Sequence, residues 1–417
     1  MKKIKKFKIF STIGKEEIAS VKKVMNEGVL SGFVAGYPNG FYGGKYNQIF
    51  ENSLKKFYNC KHAIVLNSWT SGLIASVGAL DINPGDEIIV SPWTMSATAT
   101  AILHWNAIPV FADIEDKTFS IDPNKVKKLI NKRTKAIITV DIFGHPSKLN
   151  ELKKIVKNRN IKIISDAAQS PYSYYGKKLA GTQSDIGGFS FNCHKHIQTG
   201  EGGVVVTNNK LLADRVRLIR NHSEAVVKRK KVKKINNLIG YNFRLGEIES
   251  AIGIEQLKKL KKIVASKQKQ SLYLNNKLKD LDGIVLPKVD KGCTHSFYVY
   301  PLVLNLKKIN FTRRQLVKAL MKEGVQGFVE GYTNIHLLPM YIKKISYGTK
   351  GFPWKNFKSK INYYKGLCPV AENLHDKTFL YFEICKFDLT KKDLDFVSKK
   401  FIKIWKHLKN QKIKKFV

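Results

Sequence analysis

The sequence predicts an α/β fold on a large, mainly parallel sheet, followed by a smaller α+β domain. Three observations carry this expectation. Short Ile- and Val-rich runs alternate with helical patterns from about residue 60 to 210. The runs are apolar throughout, as strands buried on both faces must be. Near residue 280 the texture changes to strands and helices without that regular alternation.

The runs HAIVLNS, DEIIVSP, IPVFADI, KAIITVDIFG, IKIISDAAQS, IGGFSFN and GGVVVTNN are the expected strands. Among the helical stretches between them, LNELKKIVKNRN places Leu149, Leu152, Ile155 and Val156 on one face. After GYNFRLGEIESAIG a long helix is expected from Glu247 to about Leu278. HSFYVYPLVLN and TFLYFEI read as strands of the second domain. TRRQLVKALMKEG and TKKDLDFVSKKFIKIWKHL read as its helices, opened by the capping boxes Thr312/Gln315 and Thr390/Asp393. At 417 residues the chain can bury a large core. The expected domains are 1–279 and 280–417, with the first roughly 25 residues packing on the second. Ligands of such sheets sit at the carboxyl ends of the strands, so the loops there carry most weight.

The formal net charge is +42, from 74 Lys and Arg against 32 Asp and Glu. The excess is lysine spread over helices, arginine is scarce, and no helix-turn-helix, zinc-finger or stacking-platform motif is present. Neither nucleic acid nor membrane is an expected partner. Only KRKKVKK (Lys228 to Lys234) and the two termini are dense enough for a local anionic partner. No apolar run approaches the ~20 residues of a membrane span. The basic start MKKIKKFKIFSTIGKEE lacks a signal peptide's apolar stretch, so a cytoplasmic location is expected. Cys60, Cys193, Cys293, Cys368 and Cys385 are odd in number and in no CxxC pair, which argues against a disulfide framework or zinc site.

The stretch FNCHKHIQTGEGGVVVT (191 to 207) admits three readings. His194 and His196 on one face of an extended segment would flank Lys195, whose charge repels a metal ion, so no metal is expected. GEGG lacks the GxxxxGK[ST] pattern and leads into a strand instead of a helix, which disfavours a phosphate loop. The third reading makes Lys195 the reagent, forming a Schiff base with pyridoxal phosphate (PLP). That chemistry needs a carboxylate for the pyridine nitrogen, a group for the phenolic oxygen, a phosphate cup and a ring stacker.

Matching residues stand at strand ends. Asp166 and Gln169 lie in DAAQ after one buried strand; the other reading of Asp166 is a helix N-cap. In NSWTSG, Thr70 and Ser71 stand where a helix should begin, a natural phosphate site or a simple cap. Ser190 lies just before the lysine loop and would close the cup.

NSWTSG, DAAQ (166 to 169), SFNCHKHIQTGEGG (190 to 203) and GYNFR (240 to 244) together resemble the DegT/StrS group of nucleotide-sugar aminotransferases, which are PLP enzymes of fold type I. The resemblance spans nearly the whole chain, from GFYGGKYNQIFE to the last helix. It implies that Lys195 bonds the cofactor, Asp166 faces the pyridine nitrogen and Gln169 the phenolic oxygen. Thr70, Ser71 and Ser190 take the phosphate, with Asn242 from the partner subunit of a homodimer with shared active sites. It further implies glutamate or glutamine as donor, a nucleotide-linked keto-deoxy sugar as acceptor, and a pyridoxamine phosphate form during turnover. Such products feed amino-sugar and surface-glycan biosynthesis.

Two departures stand out. Trp69 occupies the family's usual glycine, and Met95, in SPWTMSATA, the usual ring-stacking aromatic, with Trp93 as a nearby alternative. His194 and His196 are further candidates for substrate contact. Lys230, Lys231 and Lys233 are placed at the sugar-nucleotide entrance, where the plainer reading is a solvated loop. The rival functions are a related sugar dehydratase using pyridoxamine phosphate, which carries histidine for the lysine, and a non-catalytic PLP-binding sensor.

Overall fold

The computed structural model describes residues 4–411. Each Ile/Val-rich run forms a strand of one sheet: β1 His62–Leu66, β2 Glu87–Val90, β3 Ile108–Phe111, β4 Thr134–Val140, β5 Lys162–Asp166, β6 Ile186–Ser190 and β7 Gly203–Thr207. The spatial order is β1-β7-β6-β5-β4-β2-β3. β7 runs antiparallel to both neighbours, and the remaining pairings are parallel. Neighbouring side chains of a strand enter different cores: Ile64 and Leu66 pack on one face with the helix Trp69–Ala79, Ala63 and Val65 on the other with Phe50, Leu54 and Leu257. Burial on both faces is why these runs carry no polar alternation.

The long helix spans Glu247–Leu278 and packs against both Lys15–Glu27 and Lys45–Tyr58. Beyond it, Ile284–Val285, Tyr300–Leu304, Phe379–Phe382 and Phe328–Glu330 form a second, fully antiparallel sheet in that order. Both expected capping boxes are made: the Thr312 nitrogen donates to Gln315 Oε1 (2.7 Å) and the Thr390 nitrogen to Asp393 Oδ2 (2.9 Å). The helices they open, Arg313–Lys322 and Lys391–Asn410, cover this sheet through Leu316, Phe401 and Trp405, and Phe7 joins the same core.

The chain between the second sheet's last two strands in sequence crosses back to the first core, which takes in Ile335, Tyr341, Trp354, Tyr363 and Cys368. Two bonds pin this crossing: the Trp93 indole donates to Asn334 Oδ1 (2.8 Å), and the Ile335 nitrogen to the Pro92 carbonyl (3.0 Å). They set Tyr332 over the carboxyl edge of the large sheet. Among the described residues no helix is long and apolar enough to cross a membrane.

Candidate active site

Loop 191–202 leaves β6 and re-enters as antiparallel β7 at the same sheet edge. Backbone bonds close it, from Phe191 to the Gly202 carbonyl (2.9 Å), Cys193 to Gly200 (2.9 Å) and Thr199 to Phe191 (2.8 Å). Gly200 has φ +82°, a conformation strained for other residues, and a Cβ on Gly203 would lie 2.4 Å from the Trp69 nitrogen. The glycine-rich turn is therefore a steric device that lets a strand run beside a helix start.

Because the loop is a turn and not an extended segment, His194 and His196 do not share a face. His194 is exposed and borders the cavity described below. His196 is fully buried, with Nε2 2.8 Å from the Ser296 carbonyl, and burial pushes its pKa down to about 4. It is a core residue, so the substrate contact expected of it does not match its position. Among the described residues no group of three or more His, Cys, Asp or Glu could hold a metal ion.

Lys195 projects between them into a cavity of about 420 Å³, its amine 4.5 Å from the centroid of the Tyr298 ring. Burial lowers its pKa below that of an ordinary lysine, and the charge of Asp166 opposes the change. Asp166 ends β5 and is only 4% exposed. Its Oδ1 accepts from Trp69 Nε1 (2.7 Å) and the Ala168 nitrogen (3.2 Å), and its Oδ2 from Thr98 Oγ1 (2.8 Å). Burial raises its pKa, and these donors work against that rise. No helix follows Asp166, so it is not the helix N-cap its position allowed; the bond from Ala168 closes a local turn, and those from Trp69 and Thr98 reach across the fold. Oδ2, with one donor, keeps acceptor capacity, and Asp166 borders the cavity.

Gln169 spends its oxygen on the Phe143 nitrogen (2.7 Å), which turns its amide group toward the cavity and the Tyr332 hydroxyl (3.4 Å). At the other end the helix Trp69–Ala79 opens on the N-cap Ser68, whose Oγ accepts from the Ser71 nitrogen (3.0 Å). Thr70 and Ser190 border the cavity, as does Ser68. Ser71 does not: its hydroxyl donates to Asn67 Oδ1 (2.7 Å), and the phosphate role expected of it is better placed on Ser68.

Met95 is 63% exposed and lies on the cavity wall. Trp93 is fully buried among Phe119, Phe143 and Phe379, so it is no ring stacker here. Asn242 is exposed on the loop before the long helix and outside the cavity. Lys230 lies over Tyr37 (4.7 Å), and Lys231 and Lys233 are exposed; none of the three borders the cavity of this chain. The terminal lysines at 2, 3, 412, 414 and 415 lie outside the described residues.

The fit to PLP follows from the donor set. One cavity offers an amine for an aldehyde, an acceptor-only carboxylate for a pyridine N–H, an amide donor for a phenolate, and a helix N-terminus with hydroxyls for a phosphate. Its volume is in the range of cofactor sites.

Residues 12–362 match the DegT/DnrJ/EryC1/StrS aminotransferase family. The chain is 34% identical over 305 residues (72% of this chain, 77% of the relative) to the UDP-4-amino-4,6-dideoxy-N-acetyl-beta-L-altrosamine transaminase of Helicobacter pylori. It is 30% identical over 320 residues (77% and 84%) to the GDP-perosamine synthase of Vibrio cholerae. The solved structure of Helicobacter pylori PseC, an aminotransferase of pseudaminic acid biosynthesis, superposes with a TM-score of 0.77 at 27% identity, covering 97% of this chain and 100% of that one. The chain belongs to the DegT/DnrJ/EryC1/StrS aminotransferase family.

Proposed function

We propose that this enzyme holds PLP on Lys195 and transfers an amino group from glutamate or glutamine to a nucleotide-linked keto-deoxy sugar, for amino-sugar and surface-glycan biosynthesis. The observation that carries the reading is the convergence of the Lys195 amine, the Asp166 carboxylate and the Gln169 amide on one cavity. Relatives that make UDP- and GDP-linked amino sugars support the acceptor class.

When bound, PLP supplies an electron sink for the carbanion formed at the carbon bearing the amine. Asp166 keeps the pyridine nitrogen protonated, which the sink requires. Gln169 Nε2 donates to the phenolic oxygen. Ser68, Thr70 and Ser190 take the phosphate at the helix N-terminus, and Met95 covers the ring. Lys195 Nζ anchors the aldehyde carbon. With the cofactor bound, Lys195 Nζ would be the base that moves a proton at the substrate carbon, and its lowered pKa favours the neutral form that role needs. A donor that gives up its amino group and departs before the acceptor binds would make the kinetics ping-pong.

The working unit in this reading is a cytoplasmic homodimer, each chain divided at 279/280, with Asn242 completing the partner's phosphate site. The dehydratase reading requires histidine where Lys195 stands, and the nearby His196 is buried elsewhere. The sensor reading predicts no turnover. A screen of nucleotide keto-sugars against the pyridoxamine form tests the proposal: amination of at least one identifies the acceptor, and inertness toward all of them after full loading supports the sensor.

A further inference from the structure

The Trp69 indole occupies a seat cleared for it. A Cβ on Gly188 would lie 1.9 Å from Trp69 Cζ3, and one on Gly72 2.6 Å from Cε3. Gly188 pairs in register with Asp166 across β5 and β6. Two positions are thus kept free of side chains where a flat ring must pass to reach the carboxylate. The indole is 5% exposed, and its N–H is spent on Asp166 Oδ1 at 2.7 Å, a charge-assisted bond.

We propose that Trp69 is a positioning residue for the transamination site: its N–H fixes the Asp166 carboxylate in plane and keeps it in its acceptor-only form, so that a proton shared with a pyridine nitrogen stays on the nitrogen. The inference rests on the PLP reading above. The groups facing Asp166 make the need plain. Asp141, buried beside it, is itself pushed up to about 7 by burial, first, and by Asp166 among other causes. Tyr332 is a neutral neighbour, its hydroxyl pushed up to about 12. Lys195 is the cation on the cavity side. With burial favouring the protonated acid, the donors Thr98, Trp69 and Ala168 are the groups that oppose it most strongly. The indole is the one among them fixed by a rigid ring, and it leaves Oδ2 with only the rotatable Thr98 hydroxyl on it.

The test is the pH titration of the visible absorbance of cofactor loaded on the full-length protein, for wild type, Trp69→Phe, Trp69→His and Thr98→Val. A more basic Asp166 draws the proton from the pyridine nitrogen. The lysine nitrogen bonded to the cofactor then loses a repelling charge, and its titration moves up. Trp69→Phe should move it up by about one pH unit and slow the donor half-reaction about tenfold, with cofactor affinity little changed. Trp69→His, which restores a ring N–H, should recover much of the wild-type titration. An unmoved titration in Trp69→Phe overturns the proposal. If that variant does not fold, Thr98→Val decides: removing the Oδ2 donor should move the titration the same way, and no movement shows that donors to Asp166 do not set it. Wild-type protein that develops no visible absorbance with PLP defeats the functional reading itself, a separate outcome.

Discussion

Asp166→Asn separates charge from geometry at this site. The amide can keep every donor satisfied: Oδ1 still accepts from Trp69 and Ala168, and Nδ2 donates to Thr98 Oγ1. The Thr98 proton then turns to Thr94 Oγ1, 2.7 Å away. No buried donor is orphaned, so the fold should survive with its melting temperature within a few degrees of wild type. In the proposed function the lost quantity is the negative charge that would face a protonated pyridine nitrogen. Removing one partner of a buried charged pair costs about 3 kcal/mol or more, which is about two decades in rate. Because the phosphate, amide and lysine contacts remain, cofactor affinity should fall far less. The assay is single-turnover loss of the cofactor's visible absorbance on adding donor, beside a cofactor binding titration. A half-reaction rate within about threefold of wild type would falsify the assignment and leave Asp166 as a structural tie between Trp69, Thr98 and the turn after its strand.

Three further outcomes follow from the geometry. His196 is held neutral in the fold, so its contribution to stability is complete above its ordinary 6.5 and is lost as pH falls toward about 4. That gap corresponds to about 3 kcal/mol, and His196→Gln should flatten the pH dependence of urea denaturation across it; an unchanged slope refutes the assignment. Mixing Lys195→Ala with Asn242→Ala protein should restore part of the activity through hybrid sites if Asn242 serves the partner chain, whereas no complementation after verified subunit exchange contradicts shared sites. Changing Lys230, Lys231 and Lys233 together to glutamine should raise KM for the nucleotide sugar at low salt and spare the donor half-reaction. Equal damage to both halves would mean a structural loop, and no damage would mean plain surface charge.

The parts of this fold that were legible in the sequence are those fixed by local pattern. The strand runs are apolar because both sheet faces are covered, and the capping boxes close within one turn, so neither needs tertiary information. That Lys195, Asp166 and Gln169 border one cavity was legible because motif residues sit on loops at one edge of such a sheet. What escaped is convergence over distance. Trp69 and Thr98 reach Asp166 from 97 and 68 residues away, and Gln169 meets Tyr332 across 163. No periodicity encodes such meetings. Ser71 and His196 were misjudged for smaller reasons. The helix starts one residue earlier than its hydroxyl pair suggests, which makes Ser68 the cap, and a turn replaced the extended segment assumed for the two histidines. Trp69 was visible as a departure from the family pattern, but its partner was not.

In the proposed function the Lys195 amine, and no other among the protein's many lysines, is the one bonded to the cofactor. Borohydride reduction of the PLP-loaded protein followed by peptide mapping tests it directly. The expected result is one pyridoxyl group per chain on the peptide containing Lys195, and none on Lys195→Ala protein that has kept its fold. Stoichiometric labelling of a different lysine, or a loaded protein in which Lys195 stays unlabelled, would contradict it.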